Sequence, residues 1–159
     1  MGQAIYNIIV CSARDAMLLV GPISKTDYTG QRVEYFLNSR GNKDGSFKRF
    51  HTNGTLEYIC HYIDGKKQGS ARIYSETGKL LSECYLVDEK QHGISKWFYE
   101  NGRVQYKVSY KDGVKHGMQY HYWINGKLKY KSEYKDGKEY QQEWFSEQGE
   151  KLYKDYIVY

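Results

Sequence analysis

Residues 93–116 read GISKWFYENGRVQYKVSYKDGVKH, and the fold turns on them. Two dipeptides punctuate this stretch, Asn101-Gly102 and Asp112-Gly113. Both suit a type I′ hairpin turn, whose central residues need a positive φ that Gly, Asn and Asp tolerate. Between them Val104, Tyr106, Val108 and Tyr110 alternate with Arg103, Gln105, Lys107, Ser109 and Lys111. A period of two with one apolar and one polar face predicts a β-strand. Ile94 to Glu100 is strand-like too, although the adjacent Trp97, Phe98 and Tyr99 place aromatics on both faces. The stretch therefore reads as two antiparallel strands and two tight turns.

The same pattern recurs with a period of 24 residues. Gly45, Gly69, Gly93 and Gly117 form one column, with Gly21 in frame; Gly30, Gly54, Gly78, Gly102 and Gly126 form a second; Gly41, Gly65, Gly113 and Gly137 form a third. These columns hold 14 of the 16 glycines, so the glycines are a ruler of the repeat rather than a sign of flexibility. Gly149 falls one residue early, which predicts a one-residue deletion in the last repeat. Other columns are Leu56, Leu80, Val104, Leu128 and Leu152; Phe50, Tyr74, Phe98 and Tyr122; Tyr62, Leu86, Tyr110 and Tyr134; and Cys60, Cys84, Val108, Ser132 and Tyr156. The chain divides into a cap over 1–20 and repeats at 21–44 (degenerate), 45–68, 69–92, 93–116, 117–140 and 141–159 (truncated).

The expected fold is all-β: an elongated, twisted antiparallel sheet of stacked two-stranded repeats with a short N-terminal cap. Two or three Gly per repeat, among β-branched and aromatic residues, disfavour helix. Each repeat should advance the sheet by about 9–10 Å. A single sheet has no deep core, and the 18 Tyr suit it, since a ring packs on the next strand while its hydroxyl stays wet. The single Pro fits a ladder that cannot spare N–H donors. Gly54, Gly65, Gly78, Gly102, Gly113, Gly126 and Gly137 are the structural turn residues.

Chemistry is sparse. No phosphate loop, nucleophile elbow or paired-acid pattern occurs, so no enzyme activity, cofactor or metal is expected. His92 and His116 share a column, but one repeat separates them, too far for one zinc ion. Cys60 and Cys84 likewise sit about 9–10 Å apart, beyond the roughly 7 Å Cα limit of a disulfide. Reduced thiols in an intracellular, cytoplasmic setting are the expectation. No apolar run reaches the roughly 18 residues of a membrane span, and Arg14 and Asp15 interrupt the N-terminal apolar stretch, unlike a signal peptide.

Two candidate surfaces remain. Trp97, Tyr99, Trp123 and Trp144, on the first strands, are the expected partner-binding residues, because exposed aromatics dominate interface energetics. The chain carries a net charge of +5, and Lys107, Lys127, Lys129 and Lys131 form a candidate basic face on the second strands. That face suits an acidic protein or an anionic lipid head group. Nucleic acid is not expected, since no RNA- or DNA-binding motif accompanies the lysines.

The repeats resemble the variant form of the MORN repeat. The pattern of Gly, aromatic pair, Asn-Gly, Leu or Val, Tyr and Asp-Gly reads here as Gly93, Phe98-Tyr99, Asn101-Gly102, Val104, Tyr110 and Asp112-Gly113. It recurs as Gly117, Tyr122-Trp123, Asn125-Gly126, Leu128, Tyr134 and Asp136-Gly137, and as Gly45, Phe50, Asn53-Gly54, Leu56, Tyr62 and Asp64-Gly65. Departures are Glu89 for the third Gly, Thr77-Gly78 for Asn-Gly, and Gln141 for the first Gly of the last repeat. The resemblance implies a non-enzymatic interaction or structural scaffold that binds a protein partner or a larger assembly, a virion for example, with homodimers among the arrangements such proteins adopt. It also implies two alternatives: antitoxin-like neutralisation of a toxin, as the bacterial branch is often labelled, and peripheral binding of anionic membrane lipid through the basic sheet face.

Overall fold

The computed structural model describes residues 21–153, so the cap expected over 1–20 and the end of the truncated repeat, 154–159, lie outside the described residues. The described chain is all-β. Its strands are β1 (Ile23–Thr26), β2 (Arg32–Leu37), β3 (Lys43–Phe50), β4 (Leu56–Ile63), β5 (Lys66–Tyr74), β6 (Leu80–Val87) and β7 (Lys90–Gln91). Then follow β8 (Gly93–Phe98), β9 (Val104–Lys111), β10 (Val114–Tyr122), β11 (Leu128–Lys135), β12 (Lys138–Phe145) and β13 (Lys151–Leu152). They form one open antiparallel sheet in sequence order, a meander without crossovers. The short β7 pairs with the end of β6 and continues into β8 as one first strand broken at His92.

From β3 onward two kinds of turn alternate along the sheet, and only one is the type expected. Asp64-Gly65, Asp112-Gly113 and Asp136-Gly137 have positive φ at both residues, as a two-residue type I′ turn requires. The Asn-Gly turns differ: Gly54, Gly102 and Gly126 have positive φ, but Asn53, Asn101 and Asn125 do not. The N–H of His51 bonds the carbonyl of Thr55 at 2.8 Å, and that of Gly54 bonds the carbonyl of His51 at 2.9 Å. This is a three-residue loop, a type I turn closed by a left-handed Gly. The Asn side chain explains the difference. Asn53 Oδ1 accepts the N–H of Thr55 at 2.9 Å, and Asn101 and Asn125 do the same for Arg103 and Lys127. Their amides also reach a carbonyl of the next repeat, Glu76, Ile124 or Glu147.

The degenerate first repeat uses the three-residue loop at both of its turns, the second closed by Asn38 N–H to Asn42 O at 2.8 Å and Gly41 N–H to Asn38 O at 2.9 Å. At the first, Asp27 replaces the loop opener, and the bonds Asp27 N–H to Gln31 O at 2.8 Å and Gly30 N–H to Asp27 O at 3.1 Å reproduce the same loop.

The first-column glycines sit in bulges. Ile59 pairs with Arg72 and His61 with Gln68, so three residues of β5 face one of β4. The same three-to-one mismatch occurs between Tyr35–Phe47 and Leu37–Lys43, and between Tyr110–Lys115 and Val108–Gln119. In β12 the pairs are Lys131–Glu143 and Glu133–Tyr140, leaving two residues against one. The missing residue of the last repeat is thus lost from the bulge, where it costs no ladder pair, and Gln141 takes a left-handed φ of 48° there.

Pairing register separates the faces. The inner face carries the buried residues Val33, Tyr35, Cys60, Tyr62, Ala71, Leu86, Ser95, Val108, Gln119, Tyr130 and Ser132. Its densest packing joins Cys60, Tyr62, Ala71 and Leu86, with Phe47, Tyr58 and Cys84 against them. The outer face carries Lys48, Ile59, Arg72, Glu83, Lys96, Lys107, Tyr120, Lys131 and Glu143 in consecutive pairs. Glu83 bridges Arg72 at 3.6 Å and Lys96 at 2.8 Å, and Glu143 bridges Lys131 and Lys151, both at 3.1 Å.

Candidate functional site

Cross-strand register lines up an aromatic ladder on the inner face. Trp97 pairs with Tyr106, Tyr106 with His121, His121 with Tyr130, and Tyr130 with Trp144. Ring centroids along this row are 4.9, 4.3, 5.6 and 4.3 Å apart. Such pairs add about 0.5–1.5 kcal/mol each beyond their buried area. In the first half of the sheet Phe47 is the hub, with centroids 6.3 Å from Tyr35, 6.2 Å from Tyr58 and 5.9 Å from Tyr62.

A second column, unread in the sequence, points onto the same face: Lys43, Lys67, Gln91, Lys115 and Glu139, at the 24-residue period. Lys43 Nζ lies 4.8 Å from the Phe47 ring, 5.2 Å from Tyr62 and 5.5 Å from Tyr35. Lys67 Nζ lies 5.7 Å from Tyr58. Lys115 Nζ lies 4.7 Å from Tyr134 and donates to Gln119 Oε1 at 3.0 Å. Cation–π attraction and the length of the lysine stem let an ammonium sit on a ring-lined face. Their backbones also stitch repeats, since the carbonyls of Lys43, Lys67, Gln91 and Lys115 accept the N–H of Gly65, Glu89, Gly113 and Gly137 at 2.7–3.0 Å.

Toward the C-terminal end the ladder borders a groove of about 1000 Å³, lined in part by Gln119, His121, Tyr130, Tyr134, Glu139 and Trp144. Its polar groups form a closed network. Tyr106 Oη donates to Gln119 Oε1 at 2.8 Å, Ser132 Oγ donates to Glu139 Oε1 at 2.6 Å, and Tyr130 Oη donates to the same carboxylate. Burial alone would raise the Glu139 carboxyl, but hydrogen bonds from Ser132, Tyr130 and Tyr134 outweigh it and hold the pKa below the ordinary value. Burial, with Lys129 and Lys115 nearby, lowers the His121 imidazole, so its neutral form is favoured. Burial pushes the Tyr62 phenol up to about 12, and it raises the thiols of Cys60 and Cys84.

The four aromatics singled out from sequence divide into two sets. Trp97 and Trp144 are ladder members. Tyr99 and Trp123 instead lie at the turn edge and clamp the next repeat: Tyr99 Oη donates to the carbonyl of Tyr122 at 2.7 Å and Trp123 Nε1 to that of Phe145 at 3.1 Å. His51, in the same column, bonds the carbonyl of Tyr74 at 2.9 Å.

The four lysines do not make one free basic face. Lys107 and Lys131 are outer-face residues; Lys107 Nζ lies 4.4 Å from the Tyr120 ring and Lys131 pairs with Glu143. Lys129 Nζ sits 4.3 Å from the Trp123 ring, and Lys127, in the turn, donates to the carbonyl of Gln148 at 2.7 Å. His92 and His116 lie beside the Asp of the following turn, 3.3 Å from Asp112 and 3.5 Å from Asp136. Cys60 and Cys84 are free thiols.

No curated protein sequence matches the chain. Two solved chains of TarM, the first from S. aureus, resemble it in structure. One is a mutant crystallised in complex with fondaparinux, alpha-GlcNAc-glycerol and UDP, 18% identical, with a TM-score of 0.43 over 69% of this chain and 21% of that one. The other is 19% identical, with a TM-score of 0.41 over 62% of this chain and 19% of that one. The chain thus spans about a fifth of TarM, and likeness at this level carries no argument about activity. The model of the MORN repeat variant matches residues 43–64, 67–88, 91–112 and 115–136. Each match opens on the inward column at Lys43, Lys67, Gln91 or Lys115 and closes on a turn Asp, and repeats of this kind generally bind proteins or membranes. With these repeats covering more than half its length, the chain belongs to the MORN repeat variant family.

Proposed function

We propose that this protein is a non-catalytic scaffold that binds a protein partner or a larger assembly through its inner sheet face, in a reducing intracellular compartment. The observation that carries this reading is the ladder Trp97–Tyr106–His121–Tyr130–Trp144 beside the groove. Tilted and edge-on rings fixed by strand pairing present a rigid apolar surface whose side chains have little entropy left to lose on binding. The polar groups around it are mostly bonded to one another, so the face is preorganised for shape complementarity. On the outer face Arg72, Lys96 and Lys131 are held by Glu83 and Glu143, and among the described residues no comparable row of rings runs across it.

The test is affinity capture from the native source with the natural chain and with the Trp97→Leu/Trp144→Leu variant. Circular dichroism and thermal melting would show that the sheet survives the changes. The expected result is a partner captured by the natural chain and lost by the variant. Equal capture by both would remove the inner face from the function.

A further inference from the structure

The first half of the inner face holds two ammonium groups without counter-ions. None of the ion pairs among the described residues includes Lys43 or Lys67. The nearby acids are engaged elsewhere. Glu57 binds Arg49 at 2.8 Å, and Asp64 binds Arg40 at 2.9 Å and the amides of Asn38 and Asn42, both at 2.8 Å. Glu89, on the turn after β6, acts on the Tyr62 phenol but forms no ion pair with Lys67. Farther along the same column the sign reverses: Lys115 and Glu139 act on each other across one shared network. On the outer face Glu83 pairs with Arg72 and Lys96, and Glu143 with Lys131 and Lys151. Lys43 and Lys67 are thus two unpaired ammoniums in adjacent repeats of the ring-lined face, both half-buried and both close enough to act on the Cys60 thiol.

We infer that the Lys43–Lys67 half of the inner face docks an acidic segment of a protein partner, which deepens the scaffold reading and rests on it. Partner carboxylates seat on the two ammoniums, and apolar partner residues between them cover the partly buried Phe47 and Tyr58. The lysines belong to adjacent repeats, so the seats lie about 9–10 Å apart. Acids seven residues apart on one helix face have nearly that spacing, about 10.5 Å. The aromatic floor between the seats favours a protein over a free anion, because a carboxylate or phosphate alone would leave the rings uncovered. Half-burial strengthens each charge pair relative to an exposed one.

The probe is a fluorescein-labelled amphipathic helical peptide with Glu at every seventh position and Leu beside it, read by anisotropy against the full chain. Binding that weakens with salt is expected, with a loss of about tenfold or more for Lys43→Gln/Lys67→Gln and under about twofold for Lys107→Gln/Lys131→Gln. A Lys-for-Glu peptide should bind the charge-swapped Lys43→Glu/Lys67→Glu variant and not the natural chain, which separates recognition from damage to the fold. No binding of the Glu peptide, or equal losses for the inner and outer variants, would overturn the inference. If Trp97→Leu/Trp144→Leu loses the native partner while Lys43→Gln/Lys67→Gln keeps it, the inference fails and the scaffold reading stands.

Discussion

Glu89 occupies a turn position built for glycine, and replacing it with glycine should stabilise the protein. Asp88 and Glu89 have φ of 47° and 66°, the left-handed pair that the other two-residue turns fill with Asp-Gly. A residue bearing Cβ loses roughly 1–2 kcal/mol in that region. Glycine removes this strain but loses about 0.5–1 kcal/mol more backbone entropy on folding. The balance for Glu89→Gly is a gain of about 0.5–1 kcal/mol, or about 1–4 °C in Tm for a chain of this size. The equivalent Gly113 shows that conformation, not crowding, sets the figure: a Cβ built there meets Lys90 Cβ at 3.6 Å, an ordinary contact. Gly113→Ala should therefore destabilise by a similar amount. Thermal and urea melts followed by circular dichroism read both changes. Glu89→Gln removes the charge but keeps the strain, and it should leave Tm unchanged. If Glu89→Gln raises Tm as much as Glu89→Gly, repulsion by the carboxylate rather than backbone strain is the cause. If Glu89→Gly lowers Tm, the side chain makes a contact that outweighs the strain.

Three further outcomes follow from the same geometry. The His121 pKa is lowered in the folded state, so below the unfolded value of about 6.5 the unfolded chain binds the extra proton and stability falls. Urea midpoints should therefore decline from pH 7 toward pH 5, and His121→Phe, which keeps a ring in the ladder, should flatten that decline; an unchanged slope would refute the assignment. Tyr99→Phe removes one clamp between repeats and should lower stability by about 0.5–1.5 kcal/mol in a urea melt, whereas an unaltered midpoint would show that the 2.7 Å bond contributes nothing net. Cys60 is 2% exposed and Cys84 only half-buried, so iodoacetamide should label Cys84 before Cys60, and intact mass without reductant should show no Cys60–Cys84 bond; the appearance of that bond would break the strand register.

The parts of the fold legible in sequence are those where the backbone allows few residue types. A left-handed turn position admits little besides Gly, Asn and Asp, so glycine columns at 24 residues reported the repeat, the hairpins and the missing residue of the last repeat. Where a side chain can alter the backbone, the reading slipped. Asn53 and Asn101 match a type I′ signal, yet each carbonyl oxygen holds the N–H two residues on and selects the three-residue loop instead. Tyr99 and Trp123 read as free interface aromatics because alternation is lost at the register shifts between Trp97 and Phe98 and between His121 and Tyr122, which turn them onto the repeat edge. The inward column had the correct parity all along, since Lys67, Gly69, Ala71 and Ile73 are spaced by two. A lysine four residues before a buried position nonetheless reads as the polar end of the preceding turn, and only the surrounding rings make an inward ammonium tolerable. The same cause governs the charged surface. Sequence locates nine cations between Arg103 and Lys138, but cross-strand pairing decides which have acids opposite them. Lys131 meets Glu143 across β11 and β12, while Lys43 and Lys67 meet rings, so two ammoniums unpaired among the described residues lie on the inner face well before the nine-cation segment.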